Sequence, residues 1–471
     1  AGNAADDFSL DHFLPDGRVR RVVGIALGGD GIAVNGQGVA GMRRNTDAAA
    51  GAGQLAAVLT NNGDAGATRL GGIIGGDVLL SITNCTNNGV VKNSGNLTGN
   101  NNLYMGGISA SDLLITDEDY AAYNFKQEDC HVTNCHNKAE IIHDGTGNSI
   151  FVSGIVARTT SATINECTNT AAIKHIGISK ANCYISGICG RSCTSVNLTT
   201  NSGAVIVGSE EKTPPSGYLF ITGIVGTSNG PITNTSNSGD ITVIGDAANT
   251  TAINTNVAGI TNSFRDKMAE CSNSGDIIFE GTLATSNKAL NMGCIAGDAN
   301  GVTKFQGSFT NSGDVIFAGD IKGIARIGGL YGFLNQVVDK ADATTIVKNS
   351  GNVYNYIVKD GVTKVGKATI LCLGGITGMS FYDQDLDFIN VGNIYARNAE
   401  GAYTTGAYIG GVSGCNTLDT SSNATITKVI ANAKCVCDIE AIGFVESAEA
   451  PIVGVGMITG SHRSVNTALA G

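Results

Sequence analysis

Apolar and polar residues alternate along this chain in short runs, and the runs return roughly every 36 residues. The clearest copy is Cys271-Ser-Asn273-Ser-Gly275-Asp-Ile277, where Cys271, Asn273, Gly275 and Ile277 fall on one parity and polar residues fill the other. Ten asparagines occupy the central slot: Asn87, Asn137, Asn169, Asn201, Asn237, Asn273, Asn311, Asn349, Asn390 and Asn432. Two residues before them stand Cys, Thr, Phe, Val or Ile, ending with Ile430, and four after them a β-branched residue, ending with Val436. Period two over a few residues, bounded by Gly and Asn, predicts short strands.

A second phrase alternates with the first: a small residue, Gly, Ile or Val, then another small residue. It reads Gly106-Gly-Ile108, Ser153-Gly-Ile155, Ser186-Gly-Ile188 and so on, from Gly71-Gly-Ile73 to Gly456-Met-Ile458. A fixed repeat means one supersecondary unit per copy, stacked on its neighbours. The expectation is an all-β chain: a single-stack parallel β-helix, or solenoid, of about eleven coils with three short strands each. Coils paired at about 4.8 Å would build a rod on the order of 50 Å long. Stacked asparagines would then hydrogen-bond the amides above and below, as in cross-β ladders. The Gly two residues later is expected to take a positive φ.

Residues 1–68 form a divergent N-terminal cap or assembly segment with a worn first coil, and residues 69–471 form the solenoid. Extra residues near 111–129, 335–345 and 416–425 predict loops projecting from the rod. The first is acidic and aromatic, and its Asp117, Glu118, Asp119, Tyr120 and Tyr123 are the candidate contact loop. Ser209 to Gly217, with paired Pro214 and Pro215, is another expected loop.

Composition sharpens this picture. Gly numbers 66 against five Pro, which favours tight turns over helices. A net charge of −11 argues against a nucleic-acid partner. No apolar run is long enough for a membrane-spanning helix. The opening Ala1-Gly-Asn-Ala suits a product whose leader has been removed, and the last phrase, from Gly456, shows no polar cap.

The alternation of Gly-Gly-Ile-x-Gly with a downstream Cys-x-Asn-x-Gly-x-Ile resembles the GLUG-type repeat of bacterial surface proteins, over residues 70 to 460. The resemblance implies an extracellular or cell-surface location and a structural or adhesive role.

Thirteen cysteines are present, and Cys85, Cys135, Cys167 and Cys271 share a slot filled elsewhere by Phe, Val or Ile. That slot is apolar and inward, where a free thiol behaves as a small hydrophobe. A disulfide between two of Cys183, Cys189 and Cys193 would suit an exported chain, with Cys189 facing outward. Cys435 and Cys437 form a Cys-x-Cys.

Three constellations imitate chemistry. Cys130-His131 and Cys135-His136 look metal-like, but alternation sends Cys135 inward and His136 outward. Asp383, Asp385 and Asp387 begin like a calcium loop, yet Phe388 and Ile394 replace its Gly and Glu. Asp240, Asp276 and Asp314 recur at one position and would stack in a column at a solvent-facing corner, with Asn352 and Asn393 in their place later. No catalytic residue, cofactor or metal is expected, and the chain reads as a non-enzyme. The expected function is an extracellular or cell-surface structural and adhesive solenoid, a head-to-tail filament subunit whose segment Ala1 to Met42 covers a neighbour's open end. Its partners would be copies of itself or other surface proteins. The alternative is a carbohydrate-binding or carbohydrate-cleaving β-helix, with Tyr120 and Tyr123 stacking on sugars.

Overall fold

The computed structural model describes residues 68–462, apart from 74, 76–81, 114–129, 161, 210–218, 245, 248–253, 265, 284–288, 300–303, 336–337, 341–343, 381–383, 400–401, 417–431 and 445–451. Before residue 68 it describes only the short strands between Phe8 and Asn61. Among the described residues the chain is all-β without a helix, and parallel strands stack coil on coil into a β-solenoid. No helix there is long and apolar enough to cross a membrane.

One coil shows the plan. Thr163–Asn165 and Thr168–Asn169 lie in a ladder wall, Ile173–His175 in a second wall, Cys183–Ser186 in a third and Cys189–Arg191 in a fourth. The second, third and fourth walls contain twelve, twelve and ten strands among the described residues. The sequence suggests three strands per coil; the fourth arises because the run around Gly-Gly-Ile is folded between two walls. At that fold the backbones nearly touch: a Cβ built on Gly106 would lie 2.0 Å from the Ser109 carbonyl oxygen.

Alternation then fills two separate cores. Second-wall Val91, Ile141 and Ile173 pack with third-wall Leu103, Met105, Val152 and Ile185. Ladder-wall Ile164, Cys167 and Val196 pack with Ile155 and Ile188 of the Gly-Gly-Ile phrases. Each fully buried Ile or Leu contributes about 2 kcal/mol. Register is kept across coils, so Ile141 faces Ile173 and Ile173 faces Val205.

Positive φ falls elsewhere than expected. Around the ladder phrase it belongs to Asn84, Asn134, Glu166, Leu198, Asn234, Glu270 and Asn432, whereas the glycines two after the ladder asparagines have none. Crowding favours glycine at this slot, with Ala139 and Ala171 in two copies: a Cβ on Gly239 would lie 2.1 Å from the Gly203 carbonyl oxygen, and one on Gly275 2.2 Å from that of Gly239.

The insertion near 335–345 is also different. Val338–Lys340 runs in the ladder wall, paired with Lys304–Phe305 and Gln384–Asp385. The projecting element is an antiparallel hairpin, Tyr356–Lys359 with Val362–Val365. Asp360 and Gly361 both take positive φ at its tip, as a two-residue hairpin turn demands. Lys359 pairs with Glu280, and Lys364 Nζ donates to the Glu280 carbonyl oxygen at 3.1 Å, pinning the hairpin to an earlier coil. Within residues 1–68, Phe8–Phe13 and Val19–Gly24 pair antiparallel, while Ile32–Val34 already joins the stack beside Leu59–Asn61.

Candidate functional site

The ladder asparagines sit at strand ends with their side chains inward, between the two cores. Nine of them form one relay. Asn87 Nδ2 donates to Asn137 Oδ1 at 2.7 Å, and the same bond runs on through Asn169, Asn201, Asn237, Asn273, Asn311, Asn349 and Asn390 at 2.7–3.0 Å. From Asn137 onward, each Nδ2 also donates to the carbonyl two residues on, as Asn237 does to Gly239 at 2.8 Å. All nine are buried, so each amide must be satisfied by its neighbours.

The relay explains the glycine phrase. A Cβ on Gly223 would fall 2.4 Å from Asn237 Cγ, and one on Gly187 2.4 Å from Asn201 Cγ. The same holds for Gly107 with Asn137 and Gly154 with Asn169. The two sequence phrases are two halves of one contact.

Asn432 is not a rung. It is exposed, has φ 55°, and occupies the turn position held by Asn234 and Glu270 three residues before their rungs. Cys435 stands opposite Asn390, and Ile439, not Val436, stands opposite Ile394; Val436 is 59 % exposed. A shift of three residues after the insertion moved an asparagine of the wrong kind into the expected slot. The true phrase is Ala433-Lys-Cys435-Val-Cys437-Asp-Ile439, in which a disulfide joins Cys435 to Cys437. That bond spans the two positions that an amide–carbonyl hydrogen bond spans elsewhere.

Asp240, Asp276 and Asp314 do stack, and they form a second, outer relay. Asp240 Oδ1 accepts from the Asp276 backbone N–H at 2.9 Å, and Asp276 Oδ1 from that of Asp314 at 2.8 Å. Asp314, Asn352 and Asn393 continue it to Asp438 at 2.8–3.0 Å. Asp and Asn interchange here because only an acceptor oxygen is needed. Burial, reinforced by the charges of Asp314 and Asp240, raises the Asp276 carboxyl above its ordinary range.

A third column runs along the other face of the third wall: Arg69, Tyr104, Phe151, Tyr184, Phe220, Asn256, Asn291, Arg326, Cys372 and Tyr408. Tyr104, Phe151 and Tyr184 stack at 4.9–5.0 Å and Phe220 lies tilted at 5.1 Å, with Arg158 over Phe151 and Arg191 over Tyr184. Further on it turns polar. Asn291 Nδ2 donates to Asn256 Oδ1 at 2.7 Å, and Arg326 Nη1 donates to Asn291 Oδ1 at 3.2 Å while its guanidinium lies 4.1 Å from the Phe333 ring. Asp298 faces this arginine, yet burial outweighs it and lifts the carboxyl to about 6. The spacing of seven from Phe151 to Arg158 and from Tyr184 to Arg191 was the sequence signal for this stripe.

The other candidates are placed as follows. Cys130 and Cys135 are buried, whereas His136 faces outward, its ring nitrogens 2.8 Å from Thr168 Oγ1 and 3.0 Å from Asn134 Oδ1. Among the described residues, no three His, Cys, Asp or Glu side chains are grouped as metal ligands. Cys183, Cys189 and Cys193 are free thiols. Cys189 is fully buried in the ladder-wall core and does not face outward; the close fold at Gly187 keeps it inside beside Ile188. Asp117, Glu118, Asp119, Tyr120 and Tyr123 lie outside the described residues, as do Asp383 and residues 417–425. No family model, curated protein or solved structure matches this chain.

Proposed function

We propose that this chain is a structural rod working outside the cell, a surface or extracellular module that makes adhesive contacts through its loops. The observation that carries this reading is the unbroken amide relay from Asn87 to Asn390, in which buried polar groups are committed to holding coil to coil. The resemblance of its two phrases to GLUG-type repeats supplies the compartment. Head-to-tail assembly through the N-terminal segment extends the reading. In the last described coil Ile442, Val455 and Met457 are 49–55 % exposed, an apolar surface that a further coil, from this chain or from a neighbour, would cover. Electron microscopy of the full chain and of a chain lacking residues 1–42 tests this. Filaments from the first and single rods from the second are expected; filaments from both would remove the segment's role, and single rods from both would remove the filament.

A glycan-binding reading has one observation in its favour. Tyr354 and Tyr395 are half-buried on the outer face of the second wall, stacked at 4.9 Å, and Asn393 Nδ2 donates to the Tyr395 hydroxyl at 3.1 Å. A glycan array probed with the wild type and with Tyr395→Ala would support it only if a bound glycan is lost in the variant.

A further inference from the structure

We infer that Cys372 and Cys415 are a cross-linking site: in an oxidising environment they form a disulfide that staples the third wall of one coil to the fourth wall of the next. Cys372 lies opposite Tyr408 in the third wall, and Met379 lies opposite Cys415 in the fourth, so the two cysteines sit diagonally across adjacent coils. The walls touch at this point. A Cβ built on Gly414, the residue before Cys415, would lie 2.7 Å from the Cys372 carbonyl carbon. Both cysteines are fully buried in one cluster with Phe333 and Met379, and their thiols are within hydrogen-bonding reach of each other.

Other thiols also neighbour one another, Cys135 with Cys85 and Cys167 and Cys189 with Cys193, but these also donate to backbone carbonyls. Cys85, Cys135 and Cys167 each donate to a carbonyl of their own strand, at 3.2–3.4 Å. Cys189 donates to the Arg191 and Ser192 carbonyls at 3.6 Å. Cys372 neighbours Cys415 across two walls of adjacent coils, where a bond would tie coil to coil. Arg326 lies beside Cys372, and its positive charge opposes the rise that burial imposes on that thiol. Burial nevertheless holds the folded thiol well above its ordinary value, so the reactive thiolate belongs to the chain before burial.

The oxidant is a small disulfide such as oxidised glutathione. Cys372 loses its proton to solvent and attacks one glutathione sulfur; the glutathione S–S bond breaks and one glutathione thiolate departs and is protonated. Cys415, deprotonated in turn, attacks Cys372 Sγ in the mixed disulfide and expels the second glutathione. Two cysteine thiols are oxidised and one glutathione disulfide is reduced. Since neither sulfur is exposed in the stacked rod, the exchange belongs to folding, before the next coil closes over the pair. The inference does not depend on whether the rod polymerises.

The test refolds the full chain from reducing denaturant, once with reduced glutathione alone and once with a reduced and oxidised mixture. Peptides are then mapped without reduction after alkylation of free thiols. The expected result is a linked Cys372–Cys415 peptide in the oxidised sample only, with a higher thermal midpoint that Cys415→Ser abolishes. Complete alkylation of both cysteines in an oxidised sample with native circular dichroism would overturn the assignment. So would Cys372 linked to any other cysteine. Because the mapping is read on the wild type, a Cys415→Ser chain that failed to fold would not rescue the idea.

Discussion

The amide relay and the third-wall column run side by side through the same coils, yet one holds a single residue type and the other changes from ring to amide to guanidinium to thiol. From Asn87 to Asn390 every rung must donate to one neighbour and accept from the other, and only a carboxamide does both at that length. Along Tyr104, Phe151, Tyr184 and Phe220 each side chain has only to fill space against the one below. Repetition in sequence therefore marks reciprocal hydrogen bonding more strictly than it marks packing.

The sharpest way to break that comparison is to treat both columns alike. Asn237→Leu leaves the Asn201 amide without its acceptor and the Asn273 oxygen without its donor, and should cost on the order of 3 kcal/mol. Phe220→Leu, in the third wall, should cost about 1 kcal/mol. Urea unfolding of the two variants reads the difference, and equal losses would dissolve it. Gly223→Ala comes next, at about 2 kcal/mol, because its Cβ would meet both the Gly259 carbonyl oxygen and Asn237. Combined with Asn237→Leu it should be less than additive, since both act on one contact.

Two buried ionisable groups give opposite pH responses. His175, stacked on His143 at 5.0 Å with neither ring nitrogen hydrogen-bonded, is held neutral well below its ordinary value, mainly by burial. The unfolded chain binds this proton more readily, so stability is lost as pH falls below about 6.5. Asp298 behaves in reverse: its folded value of about 6 exceeds the ordinary 3.8, so its contribution is complete below 3.8 and is lost as pH rises through about 6. In thermal midpoints against pH, His175→Leu should lose the destabilisation that sets in below about 6.5, and Asp298→Asn the fall in stability between 3.8 and about 6. The smallest effect expected is from Asp276→Asn, within about 0.5 kcal/mol at neutral pH, because Asn352 and Asn393 already fill that acceptor role.

Most of the solenoid was legible because period-two alternation and a fixed repeat leave few other folds. The rungs were legible for the same reason, up to Asn390. Asn432 misled because the turn position tolerates Asn as readily as the rung does, and the insertion before it erased the count. The hairpin was written plainly in Lys359-Asp360-Gly361-Val362, a turn dipeptide between β-branched residues, but the length of the repeat drew attention to 335–345 instead. Cys435 could not be read as a rung at all, since nothing in a sequence says that a disulfide replaces an amide bond.

Every donor in the relay points the same way, toward the higher-numbered coil. The side-chain dipoles consequently add instead of cancelling, and the relay acquires an electrical sense along its length, oxygen leading at Asn87 and N–H at Asn390. A rung reversed end for end would set donor against donor on one side and oxygen against oxygen on the other, so the column tolerates one amide orientation only.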